Sequence, residues 1–282
     1  MKSSKADVRT SADELVIRPT RLGMGIDARE LWRFRELLVF LTWRDLKVRY
    51  KQTALGFGWA VLQPLFSLLA FSAIFGGFAH MPSEGLPYPV FAYAGLLPWM
   101  FFQNGVILGG QSLVNQQAVI TKVYFPRLFV PTASVGVGLI DLAVSLALFA
   151  GVMLLYAVKP SWYLLLLPLP LVLTVIFTLG VTYWLAALTV SYRDLRYAIP
   201  FMMQVWMYVS PVVYPARIIP QRWQWLLFLN PMTGIIDAAR ACVSGRRFDL
   251  TSLAFAAGGS VVFFLIGIYN FSRLERRFAD IA

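Results

Sequence analysis

WYLLLLPLPLVLTVIFTLGVTYWLAALTV, residues 162–190, runs for 29 positions without a charged side chain. A bilayer core about 30 Å thick needs roughly 20 helical residues to cross it, so a run of this kind reads as a membrane span. Five more stretches carry the same signature: 57–79, 86–110, 130–158 (which holds one acid, Asp141), 197–216 and 250–272. Lipid offers backbone amides no hydrogen-bonding partner, and no stretch alternates polar and apolar residues as a barrel strand would. The expectation is an all-α integral membrane protein with six transmembrane helices.

Charge is sorted around those spans. Nineteen charged residues fall in the first 56 positions and only fifteen between Phe57 and Ser272. An even number of crossings puts both termini on one side. If that side is the cytoplasm, the N-terminal segment, the loops near Lys122 and Arg193 and the tail hold nineteen of the 25 basic residues there. Excess Lys and Arg marks the cytoplasmic side, so both termini are expected inside. A pI near 10.0 could suggest nucleic acid. The cations flank spans, however, where an anionic leaflet attracts them, so membrane lipids and no nucleic acid are the expected partners. The first 30 residues lack an apolar segment, so no cleaved signal is expected and Phe57 onward reads as the first insertion signal.

The connections carry patterns of their own. Residues 1–28 are polar and mixed in charge, a disordered cytoplasmic tail ahead of one domain over 29–282. Over 29–53, Arg33, Glu36, Arg44, Lys47 and Lys51 fall on one helical stripe, with Leu31, Phe34, Leu37, Leu38, Leu41 and Val48 opposite. That is an amphipathic interface helix, its apolar side in the acyl boundary and its basic stripe facing phosphates or a protein. The connection from Gln111 to Pro131 contains Lys122-Val123-Tyr124-Phe125-Pro126-Arg127. Aromatics beside cations there are expected to dock, on a partner or on the chain's own helices. The short turn Ser191–Arg196 presents Arg193 and Asp194, a solvated turn or a second contact point. Between Arg217 and Asp249, the apolar segments Trp223–Leu229 and Met232–Val243 are too short to span and are separated by Asn230-Pro231. They read as two short re-entrant helices that dip in from outside and return. Asp237 and Arg240, three apart, are expected to pair on one helix face.

Catalytic signatures are missing. There is no G-x-x-x-x-G-K-[ST] loop, no H-E-x-x-H and no G-x-S-x-G, and one cysteine, Cys242, and one histidine, His80, cannot build a metal or nucleophile centre. No cofactor or metal is expected in this chain. Aromatics are plentiful, and Trp99, Phe101, Phe102, Trp206, Tyr208 and Tyr214 are interleaved with the amides Gln103, Asn104 and Gln204. Rings with amides suit sliding contact with sugars, and equally suit plain helix packing.

Several of these segments are familiar in combination. Arg49-Tyr50-Lys51-Gln52-Thr53-Ala54-Leu55-Gly56 leading into Trp59 and Pro64, then Lys122–Arg127, then Tyr192-Arg193-Asp194, then Leu229-Asn230-Pro231-Met232 resemble, in order, the membrane subunit of type-2 ATP-binding-cassette exporters. The likeness is strongest to those that export polysaccharide such as O-antigen, capsule or teichoic acid. It implies a homodimer bound to two copies of a separate ATPase, which would hold the ATP and Mg. It implies that Lys122, Val123, Tyr124, Phe125, Pro126 and Arg127, a coupling helix, meet that ATPase with Arg193 and Asp194. The lipid-linked polysaccharide would then enter with its pyrophosphate near Arg44, Lys47, Arg49 and Lys51. Its sugars would pass Trp99, Phe101, Phe102, Gln103, Asn104, Trp206, Tyr208 and Tyr214, and Asn230, Pro231, Asp237 and Arg240 would gate the exit. Two other readings stay open: the same architecture exporting a lipo-oligosaccharide or drug, and an integral-membrane glycosyl- or acyltransferase. The latter should carry a paired acidic motif or an intramembrane His, and neither is found in the sequence.

Overall fold

Long uncharged runs leave the backbone only its own hydrogen bonds, and the chain folds accordingly into helices joined by short connections. The computed structural model describes residues 32–51, 53–120, 122 and 125–275. The tail expected over 1–28, Val123 and Tyr124 lie outside the described residues. In order, the helices are α1 (Arg35–Lys51), α2 (Gly58–Phe71, continued by a π-helical segment Ser72–Phe78) and α3 (Tyr88–Asn115). The short α4 (Gln117–Ile120) precedes α5 (Phe129–Leu155), and α6 (Pro168–Ser191) follows a 3-10 turn at Trp162–Leu166. The last four are α7 (Leu195–Val209), α8 (Gln224–Phe228), α9 (Pro231–Ser244) and α10 (Leu250–Glu275). No strand occurs among the described residues.

Five helical stretches are long and apolar enough to cross a membrane: 58–78, 88–115, 129–155, 162–191 and 250–275. The span expected over 197–216 is shorter. Helix α7 has 15 residues, about 22 Å at 1.5 Å per residue. It stops because Pro211 pushes Ser210 out of the helical region, to φ −88° and ψ 141°. Contacts nevertheless carry this segment the full length of α3. Near the end of α3, Gln111 donates to the Arg196 carbonyl at 3.0 Å, and at its start Tyr88 donates to the Val213 carbonyl at 2.6 Å. Helix α7 and the turns and bends after it therefore lie alongside the whole of α3.

Helices α8 and α9 meet across a break with a bend of 97°. By length the pair could make one crossing, but both of its feet stand at the same end of the bundle. Arg217 before the pair and Arg246 after it reach the same carboxylate, Glu84, at 3.6 and 3.8 Å. The chain thus dips in and returns. We call this the hairpin end; the opposite end, where α1, α4, the 192–194 turn and the close of α10 gather, is the basic end.

Helix α3 is the hub, packed by α2, α5, α6, α7 and α9. Of its most apolar stretch 78% of residues are buried, against 11% for 58–78. Trp99, Phe102, Phe177, Met203, Ile235 and Ile236 fill the centre of the main core. Helices α6 and α10 come together backbone to backbone: a Cβ on Gly267 would lie 2.1 Å from the Gly180 carbonyl oxygen. Close approach of this kind is how membrane helices gain packing contact without a hydrophobic driving force between them.

Candidate functional site

Helix α1 positions most of the charge. Much of the apolar side expected to face lipid meets protein. Phe34, Leu37, Leu38 and Leu41 pack instead with Leu113, Phe125, Phe129 and Phe271 of the bundle. The reason is supply: the connection after α3 offers apolar side chains of its own, so protein covers this face. Of that side Val48 stays exposed, as do Val39, Phe40 and Trp43 off it. Thr42 lies under Gly136, with its methyl 3.1 Å from where a Cβ would be. Farther along, Arg49 and Tyr50 meet Asp141. Helix α1 therefore runs along α5.

Two polar ties fix it there. Arg44 is paired with Asp45 at 2.8 Å and donates to Gln116 Oε1 at 2.5 Å, while Gln116 Nε2 donates to Asp45 Oδ2 at 3.0 Å. One helix turn beyond, Arg49 Nη1 lies 2.8 Å from Asp141 Oδ2 in an ion pair whose angles miss hydrogen-bond geometry. The Tyr50 hydroxyl donates to Asp141 Oδ1. Burial, helped by that bond to Asp141, holds the Tyr50 phenol protonated well above its ordinary range. Asp141, the one acid inside an otherwise apolar span, is thus matched by a cation and a hydroxyl. Of the four residues expected near a pyrophosphate, Arg44 and Arg49 are engaged within the chain. Lys47, over the Trp43 ring at 5.3 Å, and Lys51 are exposed.

A cavity of about 240 Å³ opens beside this pair, bounded by α1, α2, α3 and α5. Tyr50, Trp59, Gln63, Phe101, Asn104 and Asp141 are on its wall. Charge and amides at such a depth are costly unless they serve something.

The coupling segment is split by the fold. Lys122 is exposed, but Phe125 is buried in the cluster with Leu41 and Phe271, and Arg127 donates to the Glu275 carbonyl at 3.2 Å. Phe125 docks on the chain's own helices, and the half-buried Pro126 follows it. Arg193 and Asp194 are exposed in their turn at the same end.

The aromatic set divides as well. Trp99 and Phe102 are fully buried, so these two are core packing rather than a sugar surface, while Phe101, nearly as buried, edges onto the cavity. Gln103 accepts from the Trp99 indole at 3.0 Å. Trp206 stands edge-on to Phe102 and donates to Asn230 Oδ1 at 3.2 Å. Tyr214 donates back to the Tyr208 carbonyl at 2.9 Å, and Tyr208 itself is exposed. Phe101 and Asn104 of the set line the cavity, and the Asn104 amide makes no side-chain hydrogen bond among the described residues.

At the hairpin end, Asn230 caps α9 by accepting from Met232 N and donates to Ser210 at 2.8 Å. The run from Pro231 to Val243 is buried between α3, α6 and α10, with Asp237 the one residue only partly so. The expected Asp237–Arg240 pair does not form. Asp237 is bonded to Arg246, and Arg240 turns inward to the carbonyls of Val212 at 2.6 Å, Tyr214 at 3.2 Å and Phe91 at 3.4 Å. Its guanidinium lies 3.7 Å from the Phe91 ring centroid. The cause is the break after α7: carbonyls at 212 and 214 have no helical partner, and a buried donor must meet them. Gly95 makes room, since a Cβ there would sit 2.5 Å from the Val212 oxygen and 2.8 Å from Arg240.

Sequence comparison extends these observations. The chain is 32% identical over 256 residues to the O-antigen export system permease protein RfbA of Myxococcus xanthus, covering 89% of this chain and 97% of that protein. It is 27% identical over 250 residues to the protein of the same name from Klebsiella pneumoniae, covering 87% and 95%. To the polysialic acid transport protein KpsM of Escherichia coli it is 25% identical over 237 residues, covering 80% and 88%. The family described as ABC-2 type transporter matches residues 36–243, from the first turn of α1 to the end of α9. With five helices long and apolar enough to cross a membrane, this multi-pass membrane protein belongs to the ABC-2 type transporter family.

Proposed function

We propose that this chain is the channel-forming subunit of an exporter that moves a lipid-linked, O-antigen-like polysaccharide across the inner membrane. The observation that carries the reading is likeness along nearly the whole of proteins named for O-antigen export and polysialic acid transport. In this reading two copies of the chain form the channel, and two copies of a separate ATPase, holding ATP and Mg, drive it. The exposed Lys122, Arg193 and Asp194 at the basic end suit contact with that ATPase. The charge bias puts the basic end, and with it both termini, in the cytoplasm.

The lipid pyrophosphate would meet the exposed Lys47 and Lys51. Arg44 and Arg49 hold α1 against α3 and α5 instead, so a force on α1 reaches both spans through two polar ties. The hairpin end would then be the exit, with α9 as its inner wall. The test is deletion of the chain with the glycosyltransferases intact. Surface polymer should disappear while lipid-linked polymer accumulates inside, and restoring the chain should reverse both. Unchanged surface polymer would overturn the reading.

A further inference from the structure

The polar cavity between α1, α2, α3 and α5 has an incomplete hydrogen-bond inventory. Asp141 is already occupied by Arg49 and Tyr50. The amides of the exposed Gln63 on α2 and the half-buried Asn104 on α3, by contrast, line the hollow and make no side-chain hydrogen bond among the described residues. Each can both donate and accept. Trp59 lines the same wall with about half its surface open, and Phe101 lies beside it. The volume of about 240 Å³ equals the share of roughly eight waters at about 30 Å³ each, room for one sugar ring.

The charge balance selects among occupants. Arg49 and Asp141 cancel, so the wall carries no net charge, and an anion would have to pull Arg49 off its carboxylate. A lipid tail has a better place elsewhere: the apolar groove of about 420 Å³ between α1 and α5, lined by Leu38, Val39, Trp43, Leu46, Leu139 and Ile140. A neutral polyhydroxylated ring fits the polar cavity on both counts. Its hydroxyls match two two-way amides, and its C–H face matches an aromatic wall.

We propose that this cavity is a sugar subsite within each subunit, in which Gln63 and Asn104 bind the hydroxyls of one cargo residue against Trp59. The inference rests on the polysaccharide reading above. In the subsite, Arg49 and Asp141 are positioning residues: they hold α1 against α5 and keep the wall neutral.

The test uses the full chain with its ATPase, in cells whose polymer synthesis can be switched on or off. Asn104→Cys places a thiol in the cavity, while the native Cys242 is buried. A small cationic methanethiosulfonate reagent should label N104C at least about fivefold more slowly when cargo is being made, as expected for a site occupied most of the time. Gln63→Cys repeats the test from a more exposed position should N104C fail to reach the membrane. Equal labelling rates with and without cargo, in whichever variant inserts, would overturn the proposal. Q63L/N104L should lower export about tenfold through loss of hydrogen bonds to cargo, with the chain still present in the membrane. Normal export by that double variant would also overturn it. If deletion of the chain abolishes surface polymer while labelling is indifferent to cargo, the subsite fails and the export reading stands. If deletion leaves the polymer intact, the export reading itself fails.

Discussion

Arg49 and Arg240 are both arginines withdrawn into a membrane bundle, and their surroundings differ in a way that separates a working part from a structural one. Arg240 is 3% exposed, has no acid against its guanidinium, and spends its donors on three backbone carbonyls and an aromatic face. Those acceptors are fixed in the chain, so the arrangement has one geometry. Arg49 holds a side-chain carboxylate on another helix, beside a hollow. An ion pair between two mobile side chains has alternatives within reach. Buried charge at the hairpin end locks the fold, and at the α1–α5 contact it leaves room for rearrangement.

The largest effect should come from Arg240→Met. It strips donors from the Val212 and Tyr214 carbonyls inside a packed core, and about 3–5 kcal/mol is expected from leaving buried polar groups unmet. Loss of membrane-inserted protein, or a large drop in thermal stability in detergent, would register it. Arg240→Lys should rescue little, because an ammonium cannot span three carbonyls as a planar fork does. Near-normal stability of R240M would erase the contrast drawn above.

Next in size is the Arg49–Asp141 contact. Asp141→Arg alone should abolish export while the chain still inserts, since it sets two cations face to face. The exchanged pair R49D/D141R should recover a substantial part of export, measured as surface polymer per inserted chain. No recovery would mean that one of the two acts singly rather than as half of a tie.

Asn230→Ala should cost about 1 kcal/mol from the lost cap of α9, and it also removes the link to Ser210 and Trp206. Faster proteolysis near the α8–α9 break is the readout. The smallest effect belongs to Asp249, which accepts from Thr251 N at 3.0 Å and from the Ser252 hydroxyl at 2.7 Å just ahead of α10. The Ser252 hydroxyl, above all, holds its carboxyl below the ordinary carboxylate range. A depressed value means the stabilisation is present above the unfolded-state pKa and fades as pH falls through the folded one. Asp249→Ala should therefore lower thermal stability slightly at neutral pH, and the difference should shrink and vanish as acid protonates the folded-state carboxyl. A difference that persists in acid would assign the effect to packing.

The spans were legible in the sequence because the cost of unmatched backbone in lipid writes itself as long uncharged runs. The hairpin was legible for the complementary reason: two runs too short to cross, with Asn230-Pro231 between them. Side-chain partners were not. Spacing puts Asp237 and Arg240 on neighbouring positions of one helix, but says nothing of the carbonyls that Pro211 frees some 28 positions earlier. Arg44 with Gln116 and Arg49 with Asp141 are joined across 72 and 92 positions, beyond any local pattern. Trp99 and Phe102 share a composition with sugar-binding surfaces, and only the fold distinguishes a ring in the core from one on a wall. Glu84 gave no signal at all; its position under both feet of the hairpin is a property of the assembled bundle.

The Gly180–Gly267 contact limits which parts can move. Two backbones in touch leave no side-chain cushion to shear, so α6 and α10 travel together as a single beam, and α3 is bolted to that beam through the aromatic core. The 58–78 stretch is the span least held by the rest of the chain. A bridge tethering residues on α2 to α3 should arrest the cycle, whereas one joining α6 to α10 should pass unnoticed.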